Sequence, residues 1–252
     1  MRRTFLLLLC SLLAAPLASA REAESLSPDL SQPEARAQAQ LDVLQGLVKG
    51  GMNEDALKVA AQLRADGMKD PRLDLLQAQA MHAQGMSSQA ADMLRSLTKH
   101  QPRNAAGWSA LGVVLADQKD TAGAIDALEH ARRLTPDDAQ VLNNLGYLEM
   151  ATGQNQRAVT LYEQAIVQDP SSVRTRNNLG FALARLEHDT DALAAFRAAG
   201  SEADARYNMG VACEMRGDTA SALTNYQAAI SASENQPLAR AALARLLHTE
   251  SQ

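Results

Sequence analysis

The chain has 252 residues, of which 21% are charged, and its formal net charge at pH 7 is −5. An acidic chain without a lysine- or arginine-rich run is poorly suited to bind the phosphate backbone of nucleic acids. We therefore expect no nucleic-acid partner.

The first twenty residues have the order of an export signal. Arg2-Arg3 is a short basic region, residues 5–13 form an apolar run, and Ala-Ser-Ala at 18–20 is a small-residue cleavage site. The apolar run is short for a membrane span, and a polar segment follows it. We predict a signal peptide at residues 1–20 that is cleaved after Ala20. The mature chain would then be periplasmic, with no transmembrane segment.

Three other readings of this segment stay open. The apolar run could remain as an uncleaved anchor, and Arg2-Arg3 could belong to a twin-arginine export signal. Cys10 could carry a lipid, although bulky Leu9 precedes it and it lies inside the apolar run, which favours ordinary secretion. Peripheral membrane association is compatible with each reading. Cleavage leaves Cys213 as the one cysteine, so we expect a buried thiol and no intrachain disulfide.

Residues 21–36 contain two prolines, several serines and four acidic residues, a composition typical of a flexible linker. The rest of the chain repeats one pattern, with units beginning at Ala37, Pro71, Ala105, Ala139, Val173 and Ala203. We number positions from the first residue of each unit. Position 20 is alanine in all six units: Ala56, Ala90, Ala124, Ala158, Ala192 and Ala222. Position 8 is small in five units: Ala78, Gly112, Gly146, Gly180 and Gly210, with Leu44 in the first.

Helix boundaries follow the same register. Position 17 holds residues that favour the start of a second helix: Asn53, Ser87, Thr121, Asn155, Asp189 and Thr219. Residues of the same kind, Asp70, Asn104, Asp138 and Ser172, precede four of the first helices. Pro102, Pro136 and Pro170 end the preceding second helices. The pattern predicts consecutive pairs of short helices.

The fifth unit is short, because only residues 173–202 precede the next one. Its second helix is predicted to end at Gly200 in the left-handed conformation common at helix ends. After the sixth unit, residues 237–249 form an amphipathic helix that we expect to cover the last apolar face. Its apolar residues are Leu238, Ala242, Leu243, Leu246 and Leu247.

This arrangement of small residues, helix starts and prolines resembles the tetratricopeptide repeat (TPR), a 34-residue helix–turn–helix unit. The resemblance implies an all-α, right-handed α-solenoid of six helix–turn–helix units and a C-terminal capping helix. The predicted units are residues 37–70, 71–104, 105–138, 139–172, 173–202 and 203–236, and the capping helix is 237–249.

We find no pattern of residues that indicates catalysis. The five histidines are dispersed without metal-ligand spacing, and the chain lacks a phosphate-binding loop, a GxSxG elbow and a dinucleotide fingerprint. We therefore predict no catalytic residues, no metal, no cofactor and no enzyme activity. The function is expected to come from a binding surface.

In the TPR family the first helices line a concave groove, with positions 2, 5, 6, 9, 12 and 13 facing it. Transferred to this chain, the resemblance implies that asparagines bind the backbone of an extended partner segment, aromatic rings accept its side chains, and arginines hold acidic groups. The predicted binding residues are Asn143, Asn144, Tyr147, Arg174, Asn177, Asn178, Phe181, Arg185, Tyr207 and Asn208.

The function predicted from these features is a non-catalytic scaffold for protein–protein interaction in the cell envelope. The export signal, the Asn-Asn-Leu-Gly sequences at 143–146 and 177–180, and the short junction at 198–210 are together similar to TPR proteins of tight-adherence (Flp) pilus assembly. That similarity implies a role in assembling a pilus or secretion machine. A structural oligomerisation module is the alternative, and an enzyme is a more distant one.

Overall fold

The computed structural model describes residues 33–249, so the predicted signal peptide and residues 21–32 of the predicted linker lie outside it. The described chain forms thirteen α-helices and contains no strand. The helices are α1 (Pro33–Lys49), α2 (Asn53–Ala65), α3 (Pro71–Ala83), α4 (Ser87–His100), α5 (Ala105–Asp117), α6 (Thr121–Leu134), α7 (Ala139–Ala151), α8 (Asn155–Gln168), α9 (Val173–Arg185), α10 (Asp189–Ala199), α11 (Glu202–Met215), α12 (Thr219–Ala232) and α13 (Pro237–Thr249).

The helices pack in the order of the chain, each against the next, from α1 to α13. In addition, the first helix of each unit contacts the first helix of the next, as α7 contacts α5 and α9. Neighbours lie closest together on the inner side of a curved stack, so the odd-numbered helices α1 to α11 form the concave wall. This wall carries the groove positions.

The two helices of a unit come close at positions 8 and 24. A Cβ atom added at Gly146 would stand 2.7 Å from a ring carbon of Tyr162, and one added at Gly180 would stand 2.5 Å from a ring carbon of Phe196. The same contact recurs between Gly112 and Leu128 and between Gly210 and Tyr226. The missing side chain at position 8 therefore makes room for a large side chain at position 24.

The first unit reverses this size relation. Leu44 occupies position 8 and Ala60 occupies position 24, and both are completely buried in the same apolar cluster. The large residue now belongs to the first helix and the small one to the second. The large Leu44 at position 8 is thus accommodated because position 24 of the same unit holds the small Ala60.

The predicted caps of the first helices are confirmed. The side chains of Asp70, Asn104, Asp138 and Ser172 each accept a hydrogen bond from a backbone N–H in the first turn of the helix that follows. These bonds satisfy N–H groups that have no partner within the helix. They define where α3, α5, α7 and α9 begin.

The predicted caps of the second helices are wrong by one residue. The residues at position 17 are the first helical residues, and position 16 is the cap. Asp120 and Asp218 cap α6 and α12 with their carboxylates, whereas Met52, Met86, Gln154 and His188 make no side-chain cap bond. The predicted start of the second helices at position 17 is confirmed. Residues such as Asn and Thr are tolerated both as the cap and as the first helical residue, so residue type alone assigned the capping role one residue too late.

The turn within each unit depends on position 15, which has a positive φ angle in all six units. Glycine holds this position in four of them, Gly51, Gly85, Gly153 and Gly217. The third and fifth units have Lys119 at φ 67° and Glu187 at φ 62° instead. A side chain is disfavoured in this left-handed conformation, so these two turns are strained relative to the glycine turns.

The short fifth unit ends differently from the prediction. Helix α10 stops at Ala199, and Gly200 is extended, with φ −166° and ψ −156°, rather than left-handed. Ser201 already caps α11 by accepting a hydrogen bond from the Asp204 N–H. Two residues must therefore span the gap between the helices, and an extended backbone provides the reach.

Helix α13 packs against the sixth unit through Ala239, Ala242 and Leu246, which are buried, and Leu243, which is half-buried. Leu238 and Leu247, which the sequence assigned to the covering face, are 62% and 50% exposed. The buried face is therefore narrower than predicted. Between residues 33 and 249, no helix has the length and apolar character that a membrane crossing requires.

Candidate peptide-binding groove

The asparagines at positions 5 and 6 form bonds between units. Asn178 Nδ2 donates to Asn143 Oδ1 at 3.0 Å, and Asn208 Nδ2 donates to Asn177 Oδ1, also at 3.0 Å. In each pair, position 6 of one unit binds position 5 of the preceding unit. The two bonds connect α7 to α9 and α9 to α11, which fixes the spacing of the first helices along the concave wall.

These bonds determine which amide groups remain for a ligand. Asn143 is only 7% exposed, so it mainly joins the two helices. Asn178 and Asn208 are half-buried, and each keeps its amide oxygen and a second N–H that these pairs do not use. Asn144 is half-buried and makes only a long contact of 3.4 Å with Asn143. Asn144, Asn178 and Asn208 can therefore offer donors and acceptors to a backbone.

The three aromatic residues of the predicted site differ in exposure. Tyr147 is 55% exposed on α7. Phe181 is half-buried and meets the ring of Phe196 edge-on, with the ring centres 5.0 Å apart. Tyr207 is half-buried beside Tyr226 at 5.8 Å. Tyr147 offers the largest free aromatic surface, while the other two rings also hold the helices of their units together.

The two predicted arginines lie on α9, eleven residues apart and therefore on one face of the helix. Arg174 lines a polar cavity of about 280 Å³ with Gln140, Asn144 and Asp169. Arg185 is exposed, and its Nη1 donates to the backbone oxygen of Met150 at 2.7 Å. Among the described residues, neither arginine has an ion pair with a carboxylate.

The structure adds a second cavity that the sequence did not predict. It has a volume of about 250 Å³ and lies over the third unit, between α3, α5 and α7. Small and apolar residues Ala106, Ala110 and Val113 form its floor, and Gln79 and His82 stand beside it. The available signal was Ser109-Ala110 at positions 5 and 6, where the fourth and fifth units have two asparagines, because the smaller side chains leave space in the wall.

His82 has partners on both ring nitrogens. Its Nε2 lies 3.0 Å from an Asp117 carboxylate oxygen, and its Nδ1 lies 3.2 Å from the Ser87 hydroxyl. The pair therefore joins the ends of α3 and α5 at the rim of this cavity. In the described part of the chain, no group of three His, Cys, Asp or Glu side chains is arranged to hold a metal ion.

The hydroxyl of Tyr162 is the second feature that the sequence missed. Tyr162 is completely buried, and its hydroxyl has no hydrogen-bond partner among the described residues. Burial raises the Tyr162 pKa well above its usual value, while the nearby charge of Arg185 acts in the opposite direction. The ring thus lies beneath the groove with an unused donor close to Arg185.

An arginine also joins the fifth and sixth units. Arg216 donates to the backbone oxygen of Ala184 and to both carboxylate oxygens of Asp189. Its contact with the end of α9 matches the contact of Arg185 with the end of α7. Cys213 is completely buried beside it, as predicted, and burial raises the pKa of its thiol.

The fold is shared with solved TPR structures. The crystal structure of YrrB, described as a TPR protein with an unusual peptide-binding site, aligns with a TM-score of 0.58 at 20% identity, covering 77% of this chain and 98% of YrrB. MamA of Desulfovibrio magneticus aligns with a TM-score of 0.55 at 21% identity, covering 65% of this chain and 92% of MamA. The predicted all-α right-handed solenoid of TPR units is confirmed.

Sequence comparison places the chain within one TPR family. Residues 69–207 match the model of the cytochrome c-type biogenesis protein H TPR domain, and the chain belongs to this family. The TPR repeat-containing protein PA4667 of Pseudomonas aeruginosa is 30% identical over 123 residues, which is 47% of this chain. The match spans 21% of that relative.

Proposed function

We propose that the concave wall from the third to the sixth unit binds an extended segment of a partner protein. The observation that carries this proposal is the row of free polar groups on Asn144, Asn178 and Asn208, with exposed Tyr147 beside them. The cavities over the third unit and at Arg174 lie along the same wall and offer space for side chains. TPR stacks commonly use such concave surfaces for binding.

In the proposed complex, Asn144, Asn178 and Asn208 pair with backbone groups of the segment. Tyr147, Phe181 and Tyr207 contact its side chains, and Arg174 and Arg185 attract acidic groups. Asn143 and Asn177 act through the bonds that position their neighbours. No step of chemistry is required, so the proposed role is that of a scaffold rather than an enzyme.

A matched pair of variants tests the groove. Asn144→Ala removes an amide with little internal bonding, so we expect weaker capture of crosslinked partners and an unchanged melting curve. Losing one paired polar contact lowers affinity about five- to a hundred-fold. Glu163→Ala on exposed α8 is the control. If Glu163→Ala weakens capture and Asn144→Ala does not, the partner binds the second helices and the groove proposal fails.

The rival proposal is a structural oligomerisation module. It predicts a mass in light scattering that stays above that of one chain on dilution, and groove variants that leave this mass unchanged. A monomer that captures a partner through Asn144 contradicts it.

We further propose that the protein works in the periplasm after cleavage at Ala20. The support is the residue order of the first twenty positions. Mass spectrometry of the protein from its native envelope should find Arg21 at the N-terminus. An intact Met1, or a lipid on Cys10, would contradict ordinary secretion.

Two pathways are candidates for the process in which the protein acts. The Asn-Asn-Leu-Gly units and the short junction support assembly of a pilus or secretion machine. The family whose model matches residues 69–207 is named for cytochrome c-type biogenesis, which supports a role in that process. This match covers more of the chain than the sequences that support pilus assembly. Deleting the gene should reduce haem-stained c-type cytochromes in the second case and surface pili in the first. Normal levels of both would exclude the two pathways.

A further inference from the structure

The sixth unit contains a complete bond network beneath the groove. The Tyr226 hydroxyl donates to Glu214 Oε2 at 2.9 Å, and Arg245 Nη2 donates to the same oxygen at 2.8 Å. Arg245 Nη1 lies 2.7 Å from Glu214 Oε1. A buried tyrosine, a carboxylate and an arginine from the next helix thus satisfy one another. The carboxylate is at register position 12 and the tyrosine at position 24.

The fourth unit has the buried tyrosine of this network and an arginine from the next first helix, but it lacks the carboxylate. Tyr162 holds position 24, but Met150 holds position 12, where the sixth unit has Glu214. The Tyr162 hydroxyl is fully buried and has no partner among the described residues. Arg185 reaches from the next first helix to residue 150, where it bonds the backbone oxygen. A donor and a cation are therefore present around the place where a carboxylate is missing.

Arg185, like Arg174, forms no ion pair with a carboxylate of the described chain. Most arginines of the described chain have a carboxylate partner, as in Arg64–Asp74, Arg157–Glu149 and Arg216–Asp189. Arg185 has none of these pairs, although the chain carries a net negative charge. Its guanidinium has five N–H donors, and the bond to the Met150 backbone oxygen uses only one nitrogen. The remaining donors are suited to a carboxylate.

We propose that a glutamate or aspartate side chain of the bound segment supplies the missing carboxylate, held by Arg185 and the Tyr162 hydroxyl. This inference rests on the proposed peptide-binding function and assigns an acidic residue to one place in the segment. Tyr162 is completely buried in an apolar cluster with Met150 and Ala182, so the carboxylate reaches its hydroxyl only when neighbouring side chains move aside. Arg185 and Tyr147 are exposed and can move to admit it.

Substitution of Met150 tests the site without any partner. Met150→Glu places a carboxylate at the position of Glu214, so it should accept a bond from Tyr162 and pair with Arg185. We expect the melting temperature to rise by about 2–4 °C. The rise should disappear in a Tyr162→Phe background, because the hydroxyl is then absent. If Met150→Glu lowers the melting temperature equally in both backgrounds, these groups do not form a carboxylate site.

A displayed library of random 12-residue peptides then tests binding to the full chain. We expect selected peptides to share one Asp or Glu, and its change to Gln or Asn to lower affinity about 10- to 100-fold. The affinity difference between the acidic peptide and its Gln or Asn form should become smaller in each of three variants: Arg185→Gln, Tyr162→Phe and Met150→Glu. Arg95→Gln, which removes an exposed arginine paired with Asp92 on α4, is the charge control and should leave it intact.

The outcomes separate the two proposals. Peptides that need Asn144 but bind equally well with Glu or Gln would overturn the acidic-residue inference and leave the groove function in place. Peptides that are unaffected by Asn144→Ala, or a library without binders, would overturn the groove function and the inference together.

Discussion

Tyr162 and Tyr226 hold the same register position, yet only Tyr226 has a partner for its buried hydroxyl. We therefore expect opposite effects from the same substitution. Tyr226→Phe removes the hydroxyl bond to Glu214, which keeps its bonds to Arg245, and should lower the free energy of unfolding by about 1–3 kcal/mol. Tyr162→Phe removes an unpaired buried group and should leave that free energy unchanged or raise it by up to about 1 kcal/mol. Urea unfolding of both variants measures the difference. Equal losses would contradict the assigned bonding.

At each glycine of position 8, a large side chain at position 24 occupies the space where a Cβ atom would stand. Gly180→Ala puts a Cβ 2.5 Å from Phe196 and should destabilise the fold by about 1–3 kcal/mol. Gly46 lies within α1 and has no atom within 4 Å of an added Cβ, so Gly46→Ala should stabilise by about 0.5–1 kcal/mol. Thermal unfolding compares the two. A stabilising Gly180→Ala would disprove the tight contact.

Residue identity predicted these contacts only in part. The alternation of small and large residues is visible in the sequence, so the packing at Gly146, Gly180 and Gly210 follows from it. The bonds that join Arg185 and Asn143 to residues of an adjacent unit depend on the distance between helices, which no local pattern specifies. That is why residues assigned to a ligand also hold adjacent units together.

At the scale of the helical element, the turn at position 15 offers a clear test. Lys119 and Glu187 have positive φ angles where four other units have glycine. Replacing Lys119 by glycine removes the strain of a side chain in this conformation, and we expect a gain of about 0.5–1 kcal/mol in the free energy of unfolding. Gly153→Ala imposes the strain and should cost about 1 kcal/mol. Chemical denaturation of the two variants should show opposite shifts in midpoint.

The junction between α10 and α11 predicts a dependence on pH. Arg197 and Arg206 both bond Glu202 and lower its pKa to about 2 from 4.5. Because the folded pKa is depressed, the contribution to stability is complete above about pH 4.5 and is lost as the pH falls towards 2. Glu202 is exposed, so solvent and salt weaken the effect.

Melting temperatures between pH 5 and pH 2 measure this contribution. In low salt, the fall in melting temperature from pH 5 to pH 2 should be smaller for Glu202→Gln than for the unmodified chain. Added salt should reduce the gap between the two proteins. An identical decrease in both at low salt would mean that the junction does not use these ion pairs.

Helix boundaries show where sequence reasoning stops. Asp70 and Asp138 were identified as caps because a carboxylate beside a helix start has a direct physical role. Position 17 was assigned the same role from residue type, but a methionine or glutamine one residue earlier occupies the cap without a side-chain bond. The extended Gly200 was missed for a different reason, since the short span to Ser201 overrides the usual preference of glycine at a helix end.

For the whole molecule, each unit is stabilised by its neighbours, so stability should not be uniform. The central units contribute to one large apolar cluster that includes Leu94, Leu128 and Leu145, whereas α1 and α13 pack on one side only. We expect the slowest amide hydrogen exchange in α5 to α8 and the fastest at the two ends. Exchange followed by mass spectrometry measures this order. Uniform protection along the chain would indicate a single cooperative unit.

The concave wall was predictable as a surface but not as a site. The register placed Asn144 and Tyr147 on the first helix, where the structure shows them at least partly exposed. The cavity over the third unit and the covered Tyr162 hydroxyl arise from residues of several helices that come together only in the folded chain. The sequence pattern thus predicts which helices form the concave wall, whereas the pockets in that wall depend on tertiary packing.

The exchanged sizes at Leu44 and Ala60 limit how this gene could recombine. A crossover at a unit border keeps both members of each position 8 and position 24 pair together. A crossover within a unit would join a first helix carrying Leu44 to a second helix carrying Tyr162, and the two side chains would compete for one volume. The reverse product would set Gly146 against Ala60 and leave a void. Viable duplications of the first unit should therefore include both of its helices.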